Sequence, residues 1–235
     1  MSYTLHIGNK NYSSWSLRPW ILMRALDIPF EEVLHPFDDG EYGASYERFR
    51  SFSPTGLVPC LHHHDENNQT MVIWESLAIV EHLGDYHDNI WPSDPAARAW
   101  ARSAVAEMHA GFSALRNKCP MTVGLTIRLN QVSADLNRDV QRISELWRQG
   151  LSTFGGPYLA GANFTAVDAF YAPVVFRLNT YQLSEDVAVL DYMHHLLAHE
   201  AMQTWQLQGE QETLREPGHE EEIAALGEIL EDRRA

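Results

Sequence analysis

The pattern of apolar residues changes once along this chain, close to residue 90, and that change limits the possible folds more than any other feature. Before it, short alternating segments typical of strands are interleaved with helical segments. After it, we find only helical patterns, in which apolar residues recur three or four positions apart. The sequence therefore predicts an α/β domain over residues 1–87 and an all-helical (all-α) domain over residues 92–235.

The first domain has the element order βαβ-ββα. Its predicted strands cover residues 3–7, 30–34, 58–62 and 71–74, and its main helices cover residues 16–26 and 76–86. In the second domain, Gly155-Gly156-Pro157 ends a long helix, and Thr165 with Asp168 forms a capping-box pattern that begins another. Residues 210–235 contain nine acidic residues and three arginines, which predict a solvated helix or an acidic C-terminal tail.

The charge balance of the chain disfavours several classes of partner. There are 17 basic and 32 acidic side chains, and the formal net charge is −15. Such a surface repels phosphate backbones and anionic lipids, so we expect no nucleic acid and no membrane partner. No apolar run approaches the roughly eighteen residues of a membrane span. Only two cysteines occur, Cys60 and Cys119, which argues against a disulfide framework and predicts a cytoplasmic location.

A loop rich in hydroxyl groups precedes the first predicted helix. It reads Tyr12-Ser13-Ser14-Trp15-Ser16-Leu17-Arg18. A helix N-terminus presents free N–H donors and about half a positive charge. A hydroxyl there either caps the helix or donates a hydrogen bond to a bound anion. Apart from Lys10, the loop has no histidine or lysine that could act as a base, which argues against a hydrolase-type nucleophilic serine.

Two further segments place special residues at strand ends. Pro59 begins an apolar strand, where it has no N–H group to donate to a neighbouring strand of the sheet. Judged from this segment alone, the Val58–Pro59 peptide bond is expected to be trans, because cis X–Pro bonds are a small minority. Glu75 and Ser76 lie where a strand passes into a helix. The Ser76 N–H and hydroxyl suit a carboxylate and Glu75 suits an ammonium group, as an α-amino acid requires; the alternative is a capped helix beside an exposed glutamate.

Together, the three segments and the element order resemble the glutathione transferase superfamily. That family combines a thioredoxin-like N-terminal domain with an all-helical C-terminal domain, and the resemblance extends to the capping box of Thr165 and Asp168. The serine loop is most similar to the serine-type classes, including the zeta-like bacterial class, whose pattern is Ser-Ser-Cys-Ser before an arginine. Trp15 replaces the cysteine here, which weakens any transfer of the zeta-class maleylacetoacetate isomerase activity to this chain.

The resemblance implies a cytoplasmic enzyme of detoxification. It would ionise the thiol of its co-substrate glutathione with a serine hydroxyl and add the sulfur to a small electrophile, or use it to reduce a peroxide. By motif position, Ser13 is the first choice for this hydroxyl and Ser14 the second. The electrophile is expected between the domains, against the first long helix of the second domain. The family also implies a homodimer.

The same resemblance assigns the groups that hold glutathione. Val58, with Pro59 in the cis form, would pair its backbone with the cysteinyl part, while Glu75 and Ser76 would hold the γ-glutamyl end. Because glutathione is an anion and the protein is strongly acidic, its site must be locally positive. Lys10, Arg18 and His35 are the cations that the sequence offers.

Two other functions stay open at this point. One is a zeta-like glutathione-dependent isomerase or dehalogenase. The other is a non-catalytic protein of the same fold that acts as a binding or scaffold module, to which Trp15 and the acidic tail point.

The histidines invite a metal hypothesis, which we reject. His62-His63-His64 lies at a predicted strand end, where neighbouring side chains point to opposite faces and cannot converge on one ion. We therefore predict a solvated turn and no metal site.

Overall fold

A computed structural model describes residues 1–37, 44–67 and 69–235. The first part of the chain forms a four-stranded mixed sheet. Its strands β1 (Ser2–Ile7), β2 (Glu31–Leu34), β3 (Cys60–His64) and β4 (Thr70–Trp74) lie in the order β2-β1-β3-β4. β1 and β2 are parallel, whereas β3 is antiparallel to both β1 and β4. The predicted βαβ-ββα order is therefore confirmed.

Three helices accompany this sheet: α1 (Ser14–Ala25), α2 (Ala44–Phe49) and α3 (Ser76–Gly84). The sheet buries Leu5, Ile7 and Leu61 completely against the helices, and α1 is buried along most of its length. Because α1 lies between the sheet and the second domain, its first turn is held rigidly at the junction of the two domains.

The second domain is helical, as predicted. Its helices are α4 (Pro95–Ala110), α5 (Ser113–Lys118), α6 (Ala134–Phe154), α7 (Ala166–Tyr181), α8 (Val187–Leu197), α9 (Glu200–Gln211) and α10 (Pro217–Leu226). Nearly every residue of α7 is buried, and α7 packs against both α1 and α4. α6 ends at Gly155, whose φ of +84° is the left-handed conformation that glycine adopts without steric cost.

The acidic C-terminal segment is not the solvated helix or tail that its composition predicts. After α10 it forms a strand, β6 (Gly227–Asp232), which pairs antiparallel with β5 (Leu125–Leu129). Ile223 of α10 is buried, and Arg233 and Ala235 donate backbone hydrogen bonds to Gly124 and Glu210. The local charge pattern could not reveal this sheet, because its two strands lie about a hundred residues apart in sequence.

The three consecutive histidines occupy a strand and not the solvated turn that we predicted. They belong to β3, and His63 is only 1% exposed. Their side chains alternate as a strand requires: the His62 ring lies 4.5 Å from the His6 ring in a tilted arrangement, while His63 hydrogen-bonds His82. Within the described residues, no three histidine, cysteine or acidic side chains are placed to share a metal ion.

The same part of the chain contains no helix that is both long and apolar enough to cross a lipid bilayer.

Asp168 connects three parts of the second domain. Its fully buried carboxylate accepts hydrogen bonds from the backbone N–H of Thr165 and of Leu159 and from the hydroxyl of Tyr192, at 3.0, 2.9 and 3.0 Å. Burial raises the pKa of Asp168 to about 6, against the lowering effect of these donors. The predicted capping box is thus confirmed and also holds α8 and the loop after α6.

We therefore expect Asp168→Ala to lower the free energy of unfolding by about 3 kcal/mol, because it leaves three buried donors without an acceptor. Asp94→Ala is the matched control, since Asp94 is an exposed cap that accepts from a single N–H, that of Ala97. Its loss should cost about 1 kcal/mol. Urea unfolding of both variants measures the difference, and equal losses would contradict this account of Asp168.

Candidate functional site

A cavity of about 1010 Å³ opens between the two domains, at the first turn of α1. Both domains line it. Among the six residues that the sequence singled out, five border this cavity: Ser13, Ser14, Val58, Pro59 and Glu75. Segments that are more than sixty residues apart in sequence therefore meet at one place.

The two serines differ in what their hydroxyls do. Ser13 is buried, and its hydroxyl donates to the Oγ atom of Ser16 at 2.7 Å. That Oγ also accepts from the backbone N–H of Gly8 at 3.1 Å, so Ser13 belongs to a small internal network. Ser14 is half-buried at the first position of α1, and its Oγ accepts from the guanidinium of Arg177 at 3.3 Å. Ser14 therefore keeps its hydroxyl proton for another acceptor.

Arg177 comes from α7 and lines the cavity. Besides Ser14, its guanidinium donates to the backbone carbonyls of Cys119 and Pro173, at 2.8 and 3.4 Å. Within residues 1–37, 44–67 and 69–235 it pairs with no carboxylate. Burial lowers the pKa of Arg177 to about 10, which leaves it protonated at neutral pH. A buried cation without a counter-ion beside an open cavity favours an anionic ligand.

Two more arginines lie around Trp15. The guanidinium carbon of Arg18 is 4.0 Å from the centroid of the Trp15 ring, and that of Arg116 is 5.4 Å from it. Arg116 borders the cavity, whereas Arg18 is buried behind it and donates to the Ser76 Oγ at 3.3 Å. Burial, and next the charge of Arg177, lower the pKa of Arg18 to about 9. The Trp15 ring thus contacts two cations beside the cavity.

The three cations that the sequence offered lie in different surroundings. Arg18 is close to the cavity. Lys10 is buried and paired with Glu32 at 2.6 Å, so its charge is neutralised there. His35 stacks on Phe52 and hydrogen-bonds His6, and burial lowers its pKa. Arg116 and Arg177 were not among the predicted cations, because their approach to the serine loop depends on how α5 and α7 pack.

The Val58–Pro59 peptide bond is cis. The expectation of a trans bond from this segment alone was wrong, and the cis form implied by the family resemblance is confirmed. Both residues border the cavity immediately before β3, opposite the start of α1.

Glu75 and Ser76 lie at the start of α3 and face different surroundings. Glu75 holds a φ of +71°, a conformation that is costly for a residue with a side chain and that concentrates at ligand-binding positions. Its carboxylate lies 3.9 Å from the Nε2 atom of His109. Burial, and next Arg18, lower the pKa of His109, so this ring leaves the charge of Glu75 available. Ser76 is fully buried and does not border the cavity.

The helical side of the cavity differs from the one expected. We predicted that the electrophile would lie against the first long helix, α4, but the residues that border the cavity come from α5, the loop after it, α7 and α10. They are Arg116, Asn117, Pro120, Met121, Arg177, His219 and Glu222. His219 and Glu222 belong to the acidic C-terminal segment, which we predicted to be solvated.

Comparisons with known proteins agree on one family. Residues 12–85 match the family model for the glutathione S-transferase N-terminal domain, and residues 98–205 match the model for its C-terminal domain. A curated relative, glutathione S-transferase 2 of Schizosaccharomyces pombe, is 31% identical over 86 residues, which is 35% of this chain. The match spans about a third (33%) of that relative's length.

Solved structures share the fold at low sequence identity. A glutathione transferase homolog from Burkholderia GL BGR1 with bound glutathione has a TM-score of 0.64 and 19% identity, over 89% of this chain and 98% of that one. Ure2p in complex with glutathione has a TM-score of 0.62 and 16% identity, over 87% of this chain and 98% of that one. Both similarities concern the fold.

The two family models together match residues 12–85 and 98–205, which is most of the chain. The chain belongs to the glutathione S-transferase superfamily.

Proposed function

We propose that this protein is a glutathione transferase that uses the hydroxyl of Ser14 to stabilise the thiolate of glutathione for attack on a small electrophile. The observation that carries the proposal is the cavity itself. One space holds the Ser14 hydroxyl at a helix N-terminus, the Val58–Pro59 segment, and an arginine that pairs with no carboxylate among the residues that the structure describes. Glutathione binding by the two structural relatives supports the choice of ligand.

The proposed orientation of glutathione follows from the charges of its two ends. The backbone of Val58 would pair with the cysteinyl part, which would direct the sulfur towards the first turn of α1. Glu75, with its available carboxylate, would bind the ammonium group of the γ-glutamyl end. The α-carboxylate would lie at the N-terminus of α3, where Ser76 begins the helix and N–H donors favour an anion.

Ser14 is our choice over Ser13 because of its hydrogen bonds. Ser13 already donates to Ser16, whereas the contact between Ser14 and Arg177 uses only the Ser14 oxygen as acceptor. A thiol of pKa about 8.5 is mostly protonated at neutral pH. Lowering its pKa by two units requires about 2.7 kcal/mol of preference for the thiolate. One charge-assisted hydrogen bond and the N-terminus of α1 are together sufficient for that.

The first test replaces the two serines separately. Ser14→Ala should raise the pKa of bound glutathione by about one to two units and lower kcat/KM at neutral pH roughly tenfold to a hundredfold, because a charge-assisted hydrogen bond is lost. Ser13→Ala is the matched control and should affect both quantities much less. Ultraviolet titration of the bound thiolate measures the pKa, and full activity in Ser14→Ala would contradict the role of its hydroxyl.

The second test removes the positive charge of Arg177, which donates a hydrogen bond to the Ser14 hydroxyl. Arg177→Met should raise the pKa of bound glutathione by about one unit, because a cation near the thiolate favours its ionised form. Arg177→Lys should restore part of the shift. Arg116→Met removes the same charge from the same cavity without touching Ser14, so it should have the smaller effect. Circular dichroism establishes that each variant is folded, and equal pKa values in wild type and Arg177→Met would contradict this role.

Binding without catalysis is the remaining outcome of these experiments. Retention on immobilised glutathione without turnover of aryl halides, enals or peroxides would identify a binding protein and not an enzyme. The homodimer, the role in detoxification and the cytoplasmic location stay predictions.

A further inference from the structure

The C-terminal segment is fixed against the serine loop by paired polar groups. The carboxylate of Glu212 accepts from the backbone N–H of Lys10 and of Asn11, at 2.6 and 3.0 Å. The hydroxyl of Tyr12 donates to Glu220 at 2.6 Å, and Arg234 donates to the same carboxylate at 2.8 Å. Together with the β5–β6 pairing, these contacts place α10 at the edge of the cavity in a defined position.

His219 is the titratable ring that α10 presents to this cavity. It borders the cavity and stacks on Tyr12 and Phe37, with ring centroids 4.9 and 6.0 Å away. Its side chain is 38% exposed, so a ligand can reach it. The proposed glutathione mechanism does not use it.

A carboxylate orients this ring. The Nδ1 atom of His219 lies 2.5 Å from Oε2 of Glu216, whose side chain is only 18% exposed. The Glu216 carboxylate also accepts from the backbone N–H of Gly218 and of His219, at 3.2 and 2.6 Å. Because Nδ1 is engaged, Nε2 is the nitrogen left for a ligand, and within the part of the chain that the structure describes it has no hydrogen-bond partner. A carboxylate on Nδ1 fixes the tautomer and stabilises the imidazolium.

We propose that His219, oriented by Glu216, is a proton donor to the electrophile, and that the preferred electrophiles are α,β-unsaturated carbonyl compounds. This inference rests on the proposed function, because it requires a glutathione thiolate in the same cavity. His219 is then a catalytic residue, and Glu216 is a positioning residue.

The substrate class follows from the proton balance. The glutathione thiol releases its proton to solvent when the thiolate forms. The sulfur then attacks the β-carbon, an S–C bond forms, and the π electrons of the C=C bond move towards the carbonyl oxygen as an enolate. That enolate takes the Nε2 proton of His219, and the neutral ring regains a proton from solvent. Substitution on an aryl halide expels halide and needs no such proton, so it does not benefit from the acid.

The charged and titratable groups near this ring come from three places. On its own segment they are Arg215, Glu216, Glu220 and Glu222; Tyr12 belongs to the serine loop, and Arg234 follows β6. Hydrogen bonding to Glu220 and burial, which is the larger effect, raise the pKa of Tyr12, so it stays neutral.

The test compares two electrophiles, a 2-alkenal and 1-chloro-2,4-dinitrobenzene. His219→Phe preserves the stacking on Tyr12 and Phe37 but removes the proton. It should lower kcat for the 2-alkenal about tenfold or more, in line with the usual contribution of a general acid, and lower kcat for the aryl halide far less. Glu221→Gln, an exposed position on the same helix, is the control and should leave both rates unchanged.

Glu216→Gln gives a readout that a purely structural role would not produce. It should lower kcat for the 2-alkenal while leaving KM for glutathione and kcat for the aryl halide nearly unchanged, because the amide holds the Nδ1 proton of His219 less strongly than the carboxylate does. Equal kcat values for the 2-alkenal in wild type and Glu216→Gln would overturn the role of Glu216.

The possible results separate the inference from the function on which it rests. Equal losses for both electrophiles in His219→Phe would show a packing role and overturn the inference alone. Turnover of the aryl halide but not of the 2-alkenal by the wild type would also overturn it, with the transferase function intact. If the wild type turned over neither compound, the proposed function would fail and the inference with it.

Discussion

The contact between Arg177 and Ser14 joins the two domains at the point where the chemistry is proposed. It exists because α7, almost entirely buried, packs along α1 and carries a guanidinium to the first turn of that helix. A buried cation is costly unless something compensates for it. Two backbone carbonyls and one hydroxyl satisfy its hydrogen bonds but bring no negative charge. An anion in the cavity would complete the arrangement, and the thiolate of glutathione has that property.

Around this contact, a protein of strongly negative net charge brings several arginines together. Arg18 and Arg116 stack on Trp15, and the helix dipole of α1 adds to their field. Salt screens charges that lie farther than about 8 Å away, so the groups next to the cavity affect a ligand more than the total charge does. Trp15 thus provides an aromatic surface that two guanidinium groups contact near the cavity.

The acidic C-terminal segment adds a different kind of group to the cavity. Besides Arg116 and Arg177, the cavity is bordered by His219, which contacts Glu216 on a segment fixed by Glu212 and Glu220. Cations suit the formation of an anionic nucleophile, whereas an imidazolium suits an electrophile that becomes negative during attack. The two proposals therefore use different residues that border one cavity, where the reactants would meet.

Local sequence determined the elements and many of the site positions. Alternation and helical spacing predicted the order of strands and helices, and hydroxyl or acidic residues at helix starts indicated Ser13, Ser14, Glu75 and Ser76. Such signals work because capping, turn and periodicity preferences act within a few residues. Tertiary structure decided the rest: the cis bond before Pro59, the burial of Ser76 behind Arg18, and the arrival of Arg177 and His219 at the cavity. These depend on packing between segments up to two hundred residues apart, and no local pattern carries that information.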